Sequence, residues 1–126
     1  MKQVKNPKAK HILQDLLPEQ QDEFFDLVKE AAAEAANAST TFVWDIRRTK
    51  DSLYRHIALY ILHQHGFDAK RIATELSYTR QYVNNICAQV LACLNDDENV
   101  EQHHTYHGAL HSVTSAMNRL KNGNRR

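Results

Sequence analysis

Apolar residues recur through most of the chain at intervals of three and four, the spacing that gathers them on one face of a helix. Phe24, Leu27, Val28, Ala31, Ala32 and Ala35 keep this spacing and predict an amphipathic helix over 19–36. Pro18 stands at its opening, and Glu19, Asp22 and Glu23 suit the positive end of its dipole. A short apolar turn at Ile12, Leu13, Leu16 and Leu17 precedes it. Asn37, Ser39, Thr40 and Thr41 interrupt the pattern. Phe42, Val43, Trp44 and Ile46 then form an apolar patch, read as a helical turn because no second strand is evident to pair with it. Leu53, Ile57, Ile61 and Leu62 make the stripe of a further helix, with Tyr54, Ala58 and Tyr60 adjoining, capped by Asp51 or Ser52 and closed by Gly66. Asp68 caps a short helix over 69–76, and Ser77 and Tyr78 turn the chain. The next helix runs from Thr79 or Arg80 to Leu94, stopped by Asn95, Asp96 and Asp97. Tyr106, Leu110, Val113, Met117 and Leu120 place the last helix at 101–121.

With 126 residues, 42% apolar and 25% charged, the chain is sized for one domain with a real core. The pattern divides it into a flexible basic arm at 1–11, a single helical domain at 12–121 and a flexible basic tail at 122–126. Three glycines and two prolines exclude a loop-rich sheet protein and a glycine-fingerprint nucleotide domain. Cys87 and Cys93 lie in an apolar helical run and read as core, not as a disulfide framework or a CxxC pair. No signal peptide and no membrane span are visible, so a soluble cytoplasmic protein without membrane contact is expected.

A net charge of +1 excludes a globally basic, histone-like protein, but it hides a segregation. Residues 15–34 carry seven acids and one base, whereas 47–80 carry seven bases and three acids. Lys2, Lys5, Lys8 and Lys10 have no acid among them. Such a layout suits a polyanion on one side only.

Residues 69–88 carry the functional signal. Ile72 and Leu76 face the core from a first short helix, Ala73 is small where a second helix would cross, and Val83 and Ile86 face back inward. The outward positions of the second helix, Thr79, Arg80, Gln81, Asn84, Asn85 and Gln89, can all hydrogen-bond, and only Arg80 is charged. Arginine forks to guanine, and glutamine or asparagine to adenine, in the major groove. Thr79, Arg80, Gln81, Asn84 and Asn85 are therefore the candidate base readers. Lys70, Arg71 and Arg55 are the candidate phosphate contacts, with Thr79 beside them.

This segment resembles the helix-turn-helix pattern of bacterial and phage DNA-binding proteins. Arg55 through Leu62, Ile72-Ala73 and Arg80 through Val83 are similar to the C-terminal DNA-binding domain of the bacterial replication initiator, and more broadly to the Trp-repressor-like class. The resemblance covers residues 53–90. It departs from the pattern at Ser77, where glycine is usual, and at Thr79-Arg80-Gln81-Tyr82-Val83, where only the valine of the initiator's Asp-His-Thr-Thr-Val remains. The initiator's basic loop before the motif gives way to His65-Gly66-Phe67-Asp68, and no ATPase domain accompanies it. The resemblance implies an all-α fold, a helix-turn-helix core with additional N- and C-terminal helices, and binding to double-stranded DNA. It does not imply the initiator's target sequence.

The expected function is a sequence-specific transcriptional regulator of phage or mobile-element type. One recognition helix reads few base pairs, so a homodimer is expected, its contact made by the 12–46 region or the 101–121 helix. The contrasting reading is a protein-binding helical adaptor or antitoxin-like regulator that holds a partner through 12–46. An enzyme is not expected, because paired carboxylates beside a cleft, a glycine-rich loop and a nucleophile elbow are all missing. No cofactor is required. His103, His107 and His111, at successive fours, are read as a solvated or subunit-contact face rather than a metal site.

Overall fold

The computed structural model describes residues 16–50 and 52–123. The Lys-rich arm, the final arginines and the capping position at Asp51 lie outside the described residues. Within them the chain is all-α. Its helices are α1 (Pro18–Ala36), α2 (Thr40–Val43), α3 (Ser52–Gln64), α4 (Ala69–Leu76), α5 (Arg80–Asn95) and α6 (Val100–Gly123).

Local chemistry sets these boundaries. Pro18 is the first residue of α1, and the Gln20 side chain accepts from the Leu17 N–H at 2.8 Å. Asn37 ends α1 in the left-handed region, φ 56°, which asparagine tolerates better than most residues. Ser39 Oγ accepts from the Phe42 N–H at 3.2 Å and starts the single turn of α2. After α3, Gly66 takes φ 103°, which lets the Phe67 N–H return to the Leu62 carbonyl at 3.2 Å. The last helix runs through Gly123, so Asn122 and Gly123, expected in a tail, complete its final turn.

α3 is the central element and touches each of the other helices. Its stripe is wider than the spacing predicts: residues 57 to 62 are buried without interruption, including Leu59. A helix apolar all round belongs inside a fold. α1 and α6 make the most extensive helix pair around it. Val28, Ala31 and Ala32 bury one face of α1, and Ala109, Val113 and Ala116 bury one face of α6. Arg119 closes on Glu34 at 2.8 Å and brings the C-terminal ends of the two helices together. The apolar stripe of α6, one of the two surfaces expected to hold a second protomer, thus packs against the chain's own core, with Val113 fully buried and Tyr106, Leu110, Met117 and Leu120 partly buried. Phe67, fully buried, packs edge-on to Phe25 and stacks with Phe24, locking α1 over the start of α4.

Arg55 departs most sharply from expectation. Read from sequence as a phosphate contact, it is only 2% exposed. Its Nη1 donates to the carbonyls of Val43 at 2.8 Å, Asp45 at 3.1 Å and Arg48 at 3.3 Å. Nη2 donates to Arg48 O at 3.3 Å, and Nε to the Tyr82 hydroxyl at 3.3 Å. A buried guanidinium bonded to the protein interior through all three of its nitrogens is not available to a ligand. Arg55 instead fastens the 43–48 loop to α3 and α5.

Replacing Arg55 by alanine strands the buried Val43 carbonyl and removes the clamp on the part-buried carbonyls of Asp45 and Arg48, so Arg55→Ala is expected to lose about 3 kcal/mol of unfolding free energy. Arg55→Lys should recover little, because one ammonium cannot span the fork. Arg47→Ala, on the outer side of the same loop, should leave the urea midpoint nearly unchanged. Equal midpoints for Arg55→Ala and Arg47→Ala would refute the clamp.

Beside the clamp, burial first and the Arg55 charge second push the His56 imidazole down to about 4. The unfolded chain takes up that proton near 6.5, while the folded chain refuses it until near pH 4. This stability is therefore complete above about pH 6.5 and is lost progressively as the pH falls toward 4. Thermal melts across that window should show a falling midpoint, with a shallower fall in His56→Gln. Parallel curves for the two proteins would rule out His56 as the source.

Candidate nucleic-acid interface

α4 and α5 are joined by Ser77, Tyr78 and Thr79. Asp68 Oδ1 accepts from the Arg71 N–H at 2.8 Å to start α4, and Thr79 Oγ1 accepts from the Tyr82 N–H at 3.0 Å to start α5. Between these caps Ser77 adopts φ 61°, ψ 37°, and both its N–H and that of Tyr78 return to the Ala73 carbonyl. This is the position where the resembled pattern carries glycine, and the left-handed backbone supplies the reason: a side chain there is strained.

The inward set of the unit is buried: Ile72, Ala73, Val83 and Ile86. Tyr78 is pinned across the loop, its hydroxyl donating to the Trp44 carbonyl at 2.6 Å and its ring edge-on to Tyr82. Burial pushes the Tyr78 hydroxyl up to about 12, so it remains a donor at neutral pH. Trp44, in turn, donates from Nε1 to the Lys29 carbonyl at 3.1 Å. The turn is thereby tied through one loop to α1.

The outward face of α5 presents Arg80, Gln81, Asn84, Asn85, Ala88 and Ala92, all exposed, and no acid occurs between Glu75 and Asp96. Thr79 is exposed as well, but its hydroxyl already serves the cap. Gln89 turns aside, its Nε2 donating to the Tyr106 hydroxyl at 3.2 Å. A shallow depression of about 280 Å³ lies where α4 meets α5, lined by Lys70, Ala73, Thr74, Tyr78 and Arg80. Thr74 and Tyr78 were not singled out by sequence; the four-residue step from Lys70 to Thr74, which puts both on one face of α4, is the signal that marks the first of them.

Arg71 is drawn away from this surface. Its Nη1 donates to Gln21 Oε1 at 2.6 Å, its Nη2 lies 3.4 Å from Asp22, and its guanidinium sits 4.7 Å over the Phe67 ring. Of the three candidate phosphate contacts, Lys70 alone lines the depression. The acids Glu19, Asp22, Glu23, Asp26 and Glu30 are exposed along α1.

The histidines of α6 form no cage. His103 and His107 have ring centroids 4.3 Å apart, and His107 Nε2 donates to the Leu94 carbonyl at 2.9 Å. Among the described residues no group of three or more His, Cys, Asp or Glu side chains is arranged to hold a metal ion. Cys87 and Cys93 are buried and unpaired by disulfide, and burial pushes the Cys87 thiol up to about 12. Among the described residues no helix is long and apolar enough to cross a membrane. No family model, no curated protein and no solved structure matches the chain.

The Ser77 backbone carries a test of this turn. A left-handed non-glycine residue costs roughly 1–2 kcal/mol, against about 0.5–1 kcal/mol of extra chain entropy for glycine. Ser77→Gly should therefore stabilise the protein by about 0.5–1 kcal/mol, and Ser77→Val should destabilise it. Denaturant titration of both variants decides the point, and a glycine variant weaker than the parent would contradict the turn geometry.

Proposed function

We propose that the chain is a sequence-specific double-stranded DNA-binding transcriptional regulator of the helix-turn-helix type, placing α5 in the major groove. The single observation that carries this reading is the exposed, acid-free amide face of α5 beside a depression lined by Lys70 and Arg80. Carboxamides can both donate and accept, so Gln81, Asn84 and Asn85 can fork to adenine, with Arg80 and Thr79 at the edge of the same face. A solvated helix face with no partner would more often carry Glu and Lys. The small Ala88 and Ala92 continue that face and leave room for close approach to a duplex. The exposed acids of α1 would disfavour a polyanion along that helix. Function as a homodimer on paired half-sites, in the cytoplasm and without a cofactor or catalytic step, belongs to this reading, as does kinship with the Trp-repressor-like class.

The adaptor reading has one observation in its favour. Leu17, Phe42 and Ile46, three of the exposed large apolar side chains, all fall within 12–46, the region assigned to a protein partner.

Gln81→Ala, Asn84→Ala and Asn85→Ala, each outside the core, separate the two readings. By anisotropy titration against a selected and a scrambled duplex, each variant should lose about 1–3 kcal/mol on the selected duplex and little on the scrambled one. Circular dichroism checks the fold. Equal losses on both duplexes would remove the base-reading role. Folded parent protein that binds neither duplex at low salt would transfer the case to the adaptor.

A further inference from the structure

We infer that the depression between α4 and α5 seats one backbone phosphodiester, held jointly by Lys70 and Arg80, so that Arg80 positions the helix and does not read a base. The inference rests on the DNA-binding reading and assigns a division of labour within that surface. Lys70 and Arg80 come from different helices, ten residues apart in sequence, and line the same depression with Thr74 and Tyr78.

The chemistry of the lining selects an anion. An ammonium and a guanidinium are donors without acceptors, and a threonine hydroxyl can add a third donor. Tyr78 cannot offer its hydroxyl proton, which is already given to the Trp44 carbonyl at 2.6 Å. Its ring serves instead as a fixed wall. No carboxylate lines the depression. The guanine edge also offers two acceptors but carries no formal charge, whereas two cations with no carboxylate beside them are matched in charge by an anionic phosphodiester.

Position adds to composition. Arg80 is the first residue of α5, a helix of 16 residues, where the dipole is positive. Thr79 takes the Tyr82 N–H through its side chain and the Val83 N–H through its carbonyl, the latter at 3.2 Å. The N–H groups of Arg80 and Gln81 have no acceptor within the helix and add to the positive rim. Gln81, Asn84 and Asn85 lie outside the depression. The surface thus separates into a cationic seat at the start of α5 and an amide face farther along it.

A shared phosphate has a countable signature. Each neutralised phosphate of B-form DNA contributes roughly 0.9 to the slope of log affinity against log salt. Anisotropy titrations of the full chain across several salt concentrations, on selected and scrambled duplexes, would compare the parent, Lys70→Ala, Arg80→Ala and the double variant. One shared phosphate requires the double variant to flatten the slope by about 0.9 per bound protomer, weaken both duplexes by the same factor and leave discrimination intact. A flattening near 1.8 per protomer would show two separate phosphates and overturn the shared seat. Loss of discrimination in Arg80→Ala, with the Gln81 and Asn84 effects still present, would make Arg80 a base reader and overturn the inference while sparing the DNA reading. No duplex binding by the folded parent would end both. Lys70 and Arg80 are exposed, so circular dichroism of the variants should match the parent.

Discussion

A guanidinium that is 2% exposed must have its donors answered from within the protein, because an unpaired buried charge is far less stable than the same charge in water. Arg55 meets this requirement with three main-chain carbonyls of the 43–48 loop and the hydroxyl of Tyr82. The consequences run outward. A loop without regular hydrogen bonding is held in one shape. The Trp44 carbonyl, part of that loop, then stands where the Tyr78 hydroxyl can reach it at 2.6 Å. Tyr78 belongs to the turn and Tyr82 to the first turns of α5, so the start of α5 is fixed relative to α3 by side chains from both. An interface that reads bases requires this kind of rigidity, since its side chains must be delivered at fixed angles to a groove.

The same network explains why the cations of the central segment have unlike roles. Arg55 is consumed by the clamp. Arg71 is consumed by Gln21, Asp22 and the Phe67 ring, which couples α4 to the acidic helix. Arg47 faces Asp45 at 3.0 Å, an exposed pair that draws the Asp45 carboxyl down to about 2 through its hydrogen bonds to Arg47. Lys70 and Arg80 remain beside the turn. A net surplus of bases over 47–80 therefore overstates the positive charge offered at the turn, where Lys70 and Arg80 line one depression.

Much of the fold was legible in local chemistry. Asp68 was readable as a cap, Thr79 or Arg80 as the start of α5, Gly66 as a stop, and Ile72, Ala73, Val83 and Ile86 as the inward set, because each depends on neighbours within a few positions. Ser77 was legible as a departure from the glycine expected there, although its left-handed backbone required coordinates. What was not legible depended on distant contacts. Arg55 looks like any cation at the head of a helix until the Val43 carbonyl, twelve positions earlier, and the Tyr82 hydroxyl, twenty-seven later, are seen to converge on it. The engagement of Arg71 is hidden for the same reason, its partner Gln21 being fifty residues away. The continuous burial of α3 and the internal use of the α6 stripe follow from how many helices surround α3, which no single periodicity encodes.

The central claim is that the outward face of α5 reads duplex DNA, and the most direct measurement is selection of bound duplexes from a random pool by the full chain, followed by footprinting of the enriched sequence. The account predicts a defined motif with two related half-sites, their centres about 34–36 Å apart, and protection of major-groove positions within each. A pool that returns unenriched after repeated rounds with protein shown to be folded would contradict it.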